Sequence, residues 1–168
     1  LTSEEVPINP YRVIWDAQKA LEGKETIATH DAGNPRDQTA PFWLSVTPNS
    51  YIGWGKSTNL GYSLPLALGA KVAKPEKTVL HIMGDAAFGM SGMEIATAAR
   101  NQIGLLTILF NNSCLGGYDK HIPIASKLYG TRFIWGDYCK VAEGLGAYAE
   151  RIDQPKEIIP AVRRAVEK

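Results

Sequence analysis

Residues 78–112 read TVLHIMGDAAFGMSGMEIATAARNQIGLLTILFNN, and their pattern decides the fold. Residues 78–83 form a short apolar and β-branched run, as expected of a strand buried on both faces. Residues 105–110 form a second such run, and helical spacing between them predicts a helix over about 91–101. Strand, helix and strand in that order make a βαβ unit with parallel strands. Ligands of parallel sheets sit outside the carboxyl ends of the strands, which places the loops at 84–89 and 111–117 where chemistry is expected.

Working outward, residues 10–21 carry apolar side chains at helical spacing behind Asn9-Pro10, and Gly23 stops that helix. Residues 26–29 read as a short strand that ends in the turn-rich loop 30–35. Residues 35–59 hold Phe42, Trp43, Tyr51 and Trp54 with little periodicity, and a loop of that length is uncommon unless functional. A helix with small residues on several faces is expected over 61–73, and residues 74–77 form a turn. The tail predicts a helix over 138–145, a strand over 147–152 and a helix over 155–167. The whole is an α/β fold, doubly wound, with a mainly parallel sheet and helices on both faces. Residues 1–9 read as a linker and 10–168 as one domain. The loops at 31–34, 84–89 and 111–117 should converge.

The bulk numbers fit a globular domain: 168 residues, 45% hydrophobic and 21% charged. A net charge of +1 leaves no footprint for nucleic acid or an anionic membrane. The longest apolar runs fall far short of the roughly 20 residues of a membrane span. Cys114 and Cys139 read as two unrelated thiols of a reduced, cytoplasmic protein, and His30, His81 and His121 are scattered.

Asp85 ends the strand at 78–83 and is followed by Ala86 and Ala87, small residues that let backbone N–H groups approach a ligand. The N-terminus of the following helix favours an anion. An acid beside a phosphate site makes sense when a divalent cation lies between them. Mg²⁺ takes octahedral oxygen ligands, one or two from side chains and the rest from phosphate and water. Asn112, on the next strand-end loop, adds an amide oxygen, and a backbone carbonyl just beyond it adds a third. The local alternative has Asp85 capping a turn and Asn112 in a left-handed turn position.

The run from Gly84-Asp85-Ala86 to Asn111-Asn112 resembles the motif of thiamine-diphosphate enzymes such as acetolactate synthase, which reads GDG, a helix and a strand, then NN. The segments TNLGYSLPLALGAKVAKPEKTVLHIMGD and INPYRVIWDAQKAL followed by TIATHDAGN are similar to the same domain upstream. The resemblance covers nearly the whole chain to about Gly117. It implies thiamine diphosphate and Mg²⁺ as cofactors, with Asp85, Asn112 and the Cys114 carbonyl on the metal. It implies that Gly84, Ala86, Ala87, Leu115 and Gly116 line the diphosphate, with Asn34 contacting it. Leu60 would prop the cofactor in a bent conformation, and the carbonyl of Thr58 would meet its aminopyrimidine. Two positions depart from the pattern. Ala86 replaces the usual Gly, which requires a negative φ there, and Pro35 has no N–H to offer the diphosphate.

In that family the cofactor acts as carbanion and electron sink, triggered by a glutamate on a separate pyrimidine-binding domain. No segment here resembles that domain, and Glu94 reads as structural, so no catalytic residue is assigned. The resemblance therefore implies the C-terminal part of a longer chain, or else a separate subunit. Its partner would be a pyrimidine-binding domain in a homodimer or homotetramer, and its substrate a small 2-oxo acid that is decarboxylated or ligated. A non-catalytic binding or assembly module of the same fold is the alternative. Gly55-Lys56-Ser57-Thr58 mimics a P-loop but lacks its first glycine and its strand, and 84–89 is not a dinucleotide fingerprint. Arg36, Tyr118 and His121 are candidates for the substrate side. His30 and Asp31, adjacent on a strand, should point apart.

Overall fold

The computed structural model describes residues 1–53, 59–131 and 133–168. Helix α1 (Pro10–Ala20) leads into β1 (Thr26–His30), α2 (Asn34–Thr39), β2 (Tyr51–Ile52), α3 (Ser63–Ala73) and β3 (Thr78–Gly84). Then follow α4 (Asp85–Ser91), α5 (Glu94–Arg100), β4 (Leu106–Phe110), α6 (Tyr118–His121), α7 (Pro123–Tyr129), α8 (Tyr138–Gly144), a 3₁₀ turn (Pro155–Glu157) and α9 (Ile158–Glu167). The described strands form one parallel sheet in the order β2-β1-β3-β4. The chain winds outward from β1 to β2, then crosses back to β3 and on to β4, so the winding reverses between β1 and β3.

Alternation along β3 sorts the two faces. Leu80 and Ile82 pack with Ile14 and Ala17 of α1 and Ile158 and Val162 of α9. Val79 and Met83 point the other way, Val79 onto Ala67 of α3 and Met83 into a cluster with Leu64, Ala87, Phe88 and Ile95. Each such fully buried side chain contributes about 2 kcal/mol relative to exposure. Helices thus cover both faces of a parallel sheet, the doubly wound architecture expected. Asn9 caps α1 by accepting the Tyr11 N–H at 3.0 Å. Residues ahead of it are held by Arg12, whose Nη1 donates to the Ser3 carbonyl at 2.9 Å and to Glu4 at 2.8 Å.

Several expectations are corrected. The span 35–59 contains α2 and the short β2: Gly33 turns the chain at φ 74°, and Pro35 fits the first turn of a helix, where an N–H is unneeded. The helix predicted from about Ser91 instead starts at Asp85 and is broken at Gly92–Met93 into α4 and α5. Residues 147–152 form no strand. The Ala147 N–H turns back to the Ala142 carbonyl at 3.0 Å, and Arg164 holds Glu150 at 2.8 Å, so this stretch wraps α8 and α9 without a partner strand. Helix α7 buries no residue and leaves Ile124, Leu128 and Tyr129 mostly exposed, with Phe133 and Trp135 beyond it. Among the described residues no helix is long and apolar enough to cross a membrane.

Candidate functional site

Gly84 closes β3, and a Cβ placed on it would lie 3.8 Å from Pro35 Cγ, so the start of α2 sits beside the end of β3. Asp85 follows as the first residue of α4 and is 3% exposed. Its Oδ1 accepts the Ala86 N–H at 2.8 Å, and its Oδ2 accepts the Ser113 N–H at 2.7 Å. The loop after β4 is thereby tied to the loop after β3. Ser113 also donates through N–H and Oγ to Asn111 Oδ1 at 3.2 and 3.1 Å, and Cys114 N–H donates to Asn112 Oδ1 at 3.1 Å. The Ser113 carbonyl accepts the Ile134 N–H at 3.2 Å, and Cys114 bridges to Phe133, which braces the loop from behind.

Ser113, not Asn112, takes the left-handed conformation, with φ 54°. Asn112 is exposed, and its amide oxygen keeps a second lone pair beyond the one used by Cys114. Ala86 lies in helical conformation, which resolves the departure from the usual Gly: a Cβ is compatible with this backbone. Its N–H is already given to Asp85, so Ala87 is the better placed donor of the pair. Leu115 is half-buried, Gly116 is exposed with open space around its Cα, and the His121 ring folds against Gly117.

Asp85 is buried, yet among the described residues no Lys, Arg or His forms an ion pair with it. A buried carboxylate without a countercharge is costly, and a bound cation would relieve that cost. The loop pair offers hard oxygen donors: a carboxylate, an amide oxygen and backbone carbonyls. That suits Mg²⁺. Among the described residues no cluster of three His, Cys, Asp or Glu side chains offers a softer site. The residues present therefore fit a Mg²⁺-bound diphosphate.

Leu60 packs against the Leu64, Met83, Ala87 and Phe88 cluster, which puts it beside α4. Asn34 is exposed at the first position of α2. Thr58 and the side chain of Tyr118 lie outside the described residues, as does the segment Gly55-Lys56-Ser57-Thr58. Arg36 pairs with its neighbour Asp37 at 2.8 Å. Glu94 opens α5, where a carboxylate complements the helix dipole. His30 and Asp31 do not form a side-chain pair. His30 Nδ1 lies 3.0 Å from the Asp31 backbone carbonyl and its ring lies 5.5 Å from that of Tyr51. Burial lowers the His30 pKa, and the Arg36 charge adds to the shift.

Two features escaped the sequence reading. Tyr138, at the start of α8, packs edge-on to Phe88 and feels Asp85: its pKa is raised by burial first and by the Asp85 charge second. Only the helix start was legible there. The other is Asp31, whose carboxylate turns to α3 and accepts the Gly61 N–H at 3.1 Å and the Ser63 N–H at 3.3 Å.

The chain matches the family model described as thiamine pyrophosphate enzyme, C-terminal TPP binding domain, over residues 31–168. It is 32% identical to a probable acetolactate synthase large subunit of Methanococcus aeolicus, over 97% of this chain and 28% of the relative. It is 29% identical to a sulfoacetaldehyde acetyltransferase of Alcaligenes xylosoxydans xylosoxydans, over 95% of this chain and 27% of the relative. It is 28% identical to a 2-hydroxyacyl-CoA lyase of Arabidopsis thaliana, over 96% and 30%. The chain thus spans less than a third of the length of these relatives. A buried acid tied to an asparagine loop, on a parallel sheet that the family model covers from the end of β1 onward, places this chain in the family of C-terminal TPP-binding domains of thiamine pyrophosphate enzymes.

Proposed function

We propose that this chain holds the diphosphate of thiamine diphosphate through Mg²⁺, as one part of an enzyme that decarboxylates or ligates 2-oxo acids. The observation that carries the reading is the Asp85–Ser113 bond, because it sets a buried carboxylate, with no ion-pair partner among the described residues, beside the Asn112 loop. Asp85, Asn112 Oδ1 and the Cys114 carbonyl would hold the metal. Gly84, Ala87, Leu115 and Gly116 would present backbone to the diphosphate, Ala86 would keep Asp85 oriented, and Asn34 would contact the phosphates from α2. Leu60 and the Thr58 carbonyl would support the aminopyrimidine end.

When bound, the cofactor supplies a carbanion nucleophile and an electron sink. The chain's own residues fix and neutralise the diphosphate, and the apolar cluster around Leu60 and Phe88 keeps water from the far side of the site. The activating glutamate would come from a pyrimidine-binding domain of the same or a partner chain, in a homodimer or homotetramer. The exposed Leu128, Tyr129, Phe133 and Trp135 support such pairing, since large apolar side chains left in water favour a covering partner. The relatives' names, acetolactate synthase, sulfoacetaldehyde acetyltransferase and 2-hydroxyacyl-CoA lyase, differ in substrate and in reaction type, so the reading goes no finer than 2-oxo acids and related compounds.

Isothermal titration tests it. Thiamine diphosphate should bind only with Mg²⁺ present, and binding should vanish in Asp85→Ala. Metal-independent binding, or a preference for ATP or NAD, would overturn the reading. Turnover of pyruvate on adding the pyrimidine-binding domain would separate an enzyme from a binding module.

A further inference from the structure

Four polar side chains line up inside the apolar interior, beneath the site. Asp31 follows β1, Ser63 opens α3, His81 lies in β3 and Thr107 in β4. Ser63 Oγ donates to Asp31 Oδ2, His81 Nε2 lies 2.6 Å from Ser63 Oγ, and His81 Nδ1 lies 3.3 Å from Thr107 Oγ1. Asp31, Ser63 and His81 are fully buried. A serine has one hydroxyl proton and a carboxylate only accepts, so the Ser63 proton goes to Asp31. His81 must then donate from Nε2 to Ser63 and accept at Nδ1 from Thr107. It is neutral, and burial pushes its pKa down to about 3.

Such a network is costly unless every member is satisfied, and an apolar residue at position 81 would serve the core as well. What the network adds is orientation. It ends on Asp31, which also accepts the Gly61 and Ser63 N–H groups and so hangs the turn ahead of α3 from the end of β1. Leu60 stands on that turn, and its side chain rests on the cluster containing Ala87 of α4. Gly61 takes φ 85° there, with Met90 and Ser91 of α4 pressed against it. The turn is fixed from β1 through its backbone and from α4 through its side chain.

We propose that Ser63 and His81 are positioning residues that, through Asp31, hold Leu60 for the non-phosphate end of the cofactor without touching it. The inference rests on the proposed thiamine diphosphate site. It separates the two halves of the ligand: the Asp85–Asn112 loops serve the diphosphate, and the buried network serves the rest.

The test titrates the 168-residue chain with Mg²⁺-pyrophosphate and, separately, with Mg²⁺-thiamine diphosphate. The variants are Ser63→Ala, which strands the His81 donor, and Ser63→Ala/His81→Leu, which removes both polar groups and leaves no histidine donor unpaired. In the double variant, thiamine diphosphate should bind about tenfold more weakly, the scale of one lost hydrogen bond, while pyrophosphate affinity stays at the wild-type value. Parallel loss of both affinities would make the network merely structural and overturn the inference, as would wild-type affinity for both ligands. A wild-type chain that fails to bind Mg²⁺-pyrophosphate sinks the parent reading and this inference together.

Discussion

The Asp85 carboxylate and the backbone N–H of Ser113 meet at 2.7 Å, joining two strand ends that a pair of helices and a strand separate in sequence. In the proposed site a single side chain would therefore both hold the metal and set the conformation of the loop that completes it. Its two roles come apart in substitutions.

Asp85→Asn keeps an acceptor for Ser113 but removes the charge. It should lose Mg²⁺-dependent thiamine diphosphate binding at least hundredfold, as expected for deleting a metal-bound anion, while the Ser113 amide stays protected from hydrogen exchange. Asp85→Ala should lose both. Calorimetry and exchange measured by NMR on the same samples check this, and wild-type affinity in Asp85→Asn would remove Asp85 from the metal.

Ala86→Gly restores the commoner motif residue. Because Ala86 is already helical and its N–H is engaged by Asp85, the change should bring no gain in cofactor affinity. It should cost stability, up to about 1 kcal/mol from helix propensity. Denaturant unfolding alongside titration reads both quantities, and a severalfold tighter site would show that the Ala side chain obstructs the ligand.

Gly61→Ala forces an L-residue to φ 85° and brings its Cβ to 3.1 Å from Met90 Cβ and 3.3 Å from Ser91 Cβ. A loss of about 1–3 kcal/mol is expected from backbone strain and crowding. Thiamine diphosphate should bind less well because the Leu60 turn shifts. A melting temperature equal to wild type would contradict the strain.

Acid should destabilise the fold well before the carboxylates titrate. His81 is held near a pKa of about 3 and His30 is lowered too, so below the ordinary histidine value of 6.5 the unfolded chain binds protons that the folded chain refuses. Their contribution is complete at neutral pH and declines as pH falls from 6.5 towards 3. At pH 5 the His81 share alone amounts to about 2 kcal/mol. Urea unfolding between pH 7.5 and 5 checks the slope, which should shallow in His81→Gln.

The strands β1, β3 and β4 and helices α1 and α3 were legible because periodicity and Pro or Gly punctuation agreed there. The start of α4 was not, because Asp85, Ala86 and Gly89 read as a loop, whereas packing of Ala87 and Phe88 against Met83 winds them into a helix. Residues 147–152 look like a strand by composition, yet Gly146 at φ 93° turns them against the end of α8 instead. In the site, Asp85 and Asn112 stood out through their place after two strands. The line from Asp31 through Ser63 to His81 was hidden, since its members lie on separate elements and only folding shows that they touch.

Held on Ser63 within a fully buried ring, the Nε2 proton of His81 is shielded from solvent while the fold stays closed. It should give a resolved, slowly exchanging NMR signal far downfield, the protein's own clock for global opening. The lifetime of that resonance would report how often the interior breathes, without a label and without denaturant.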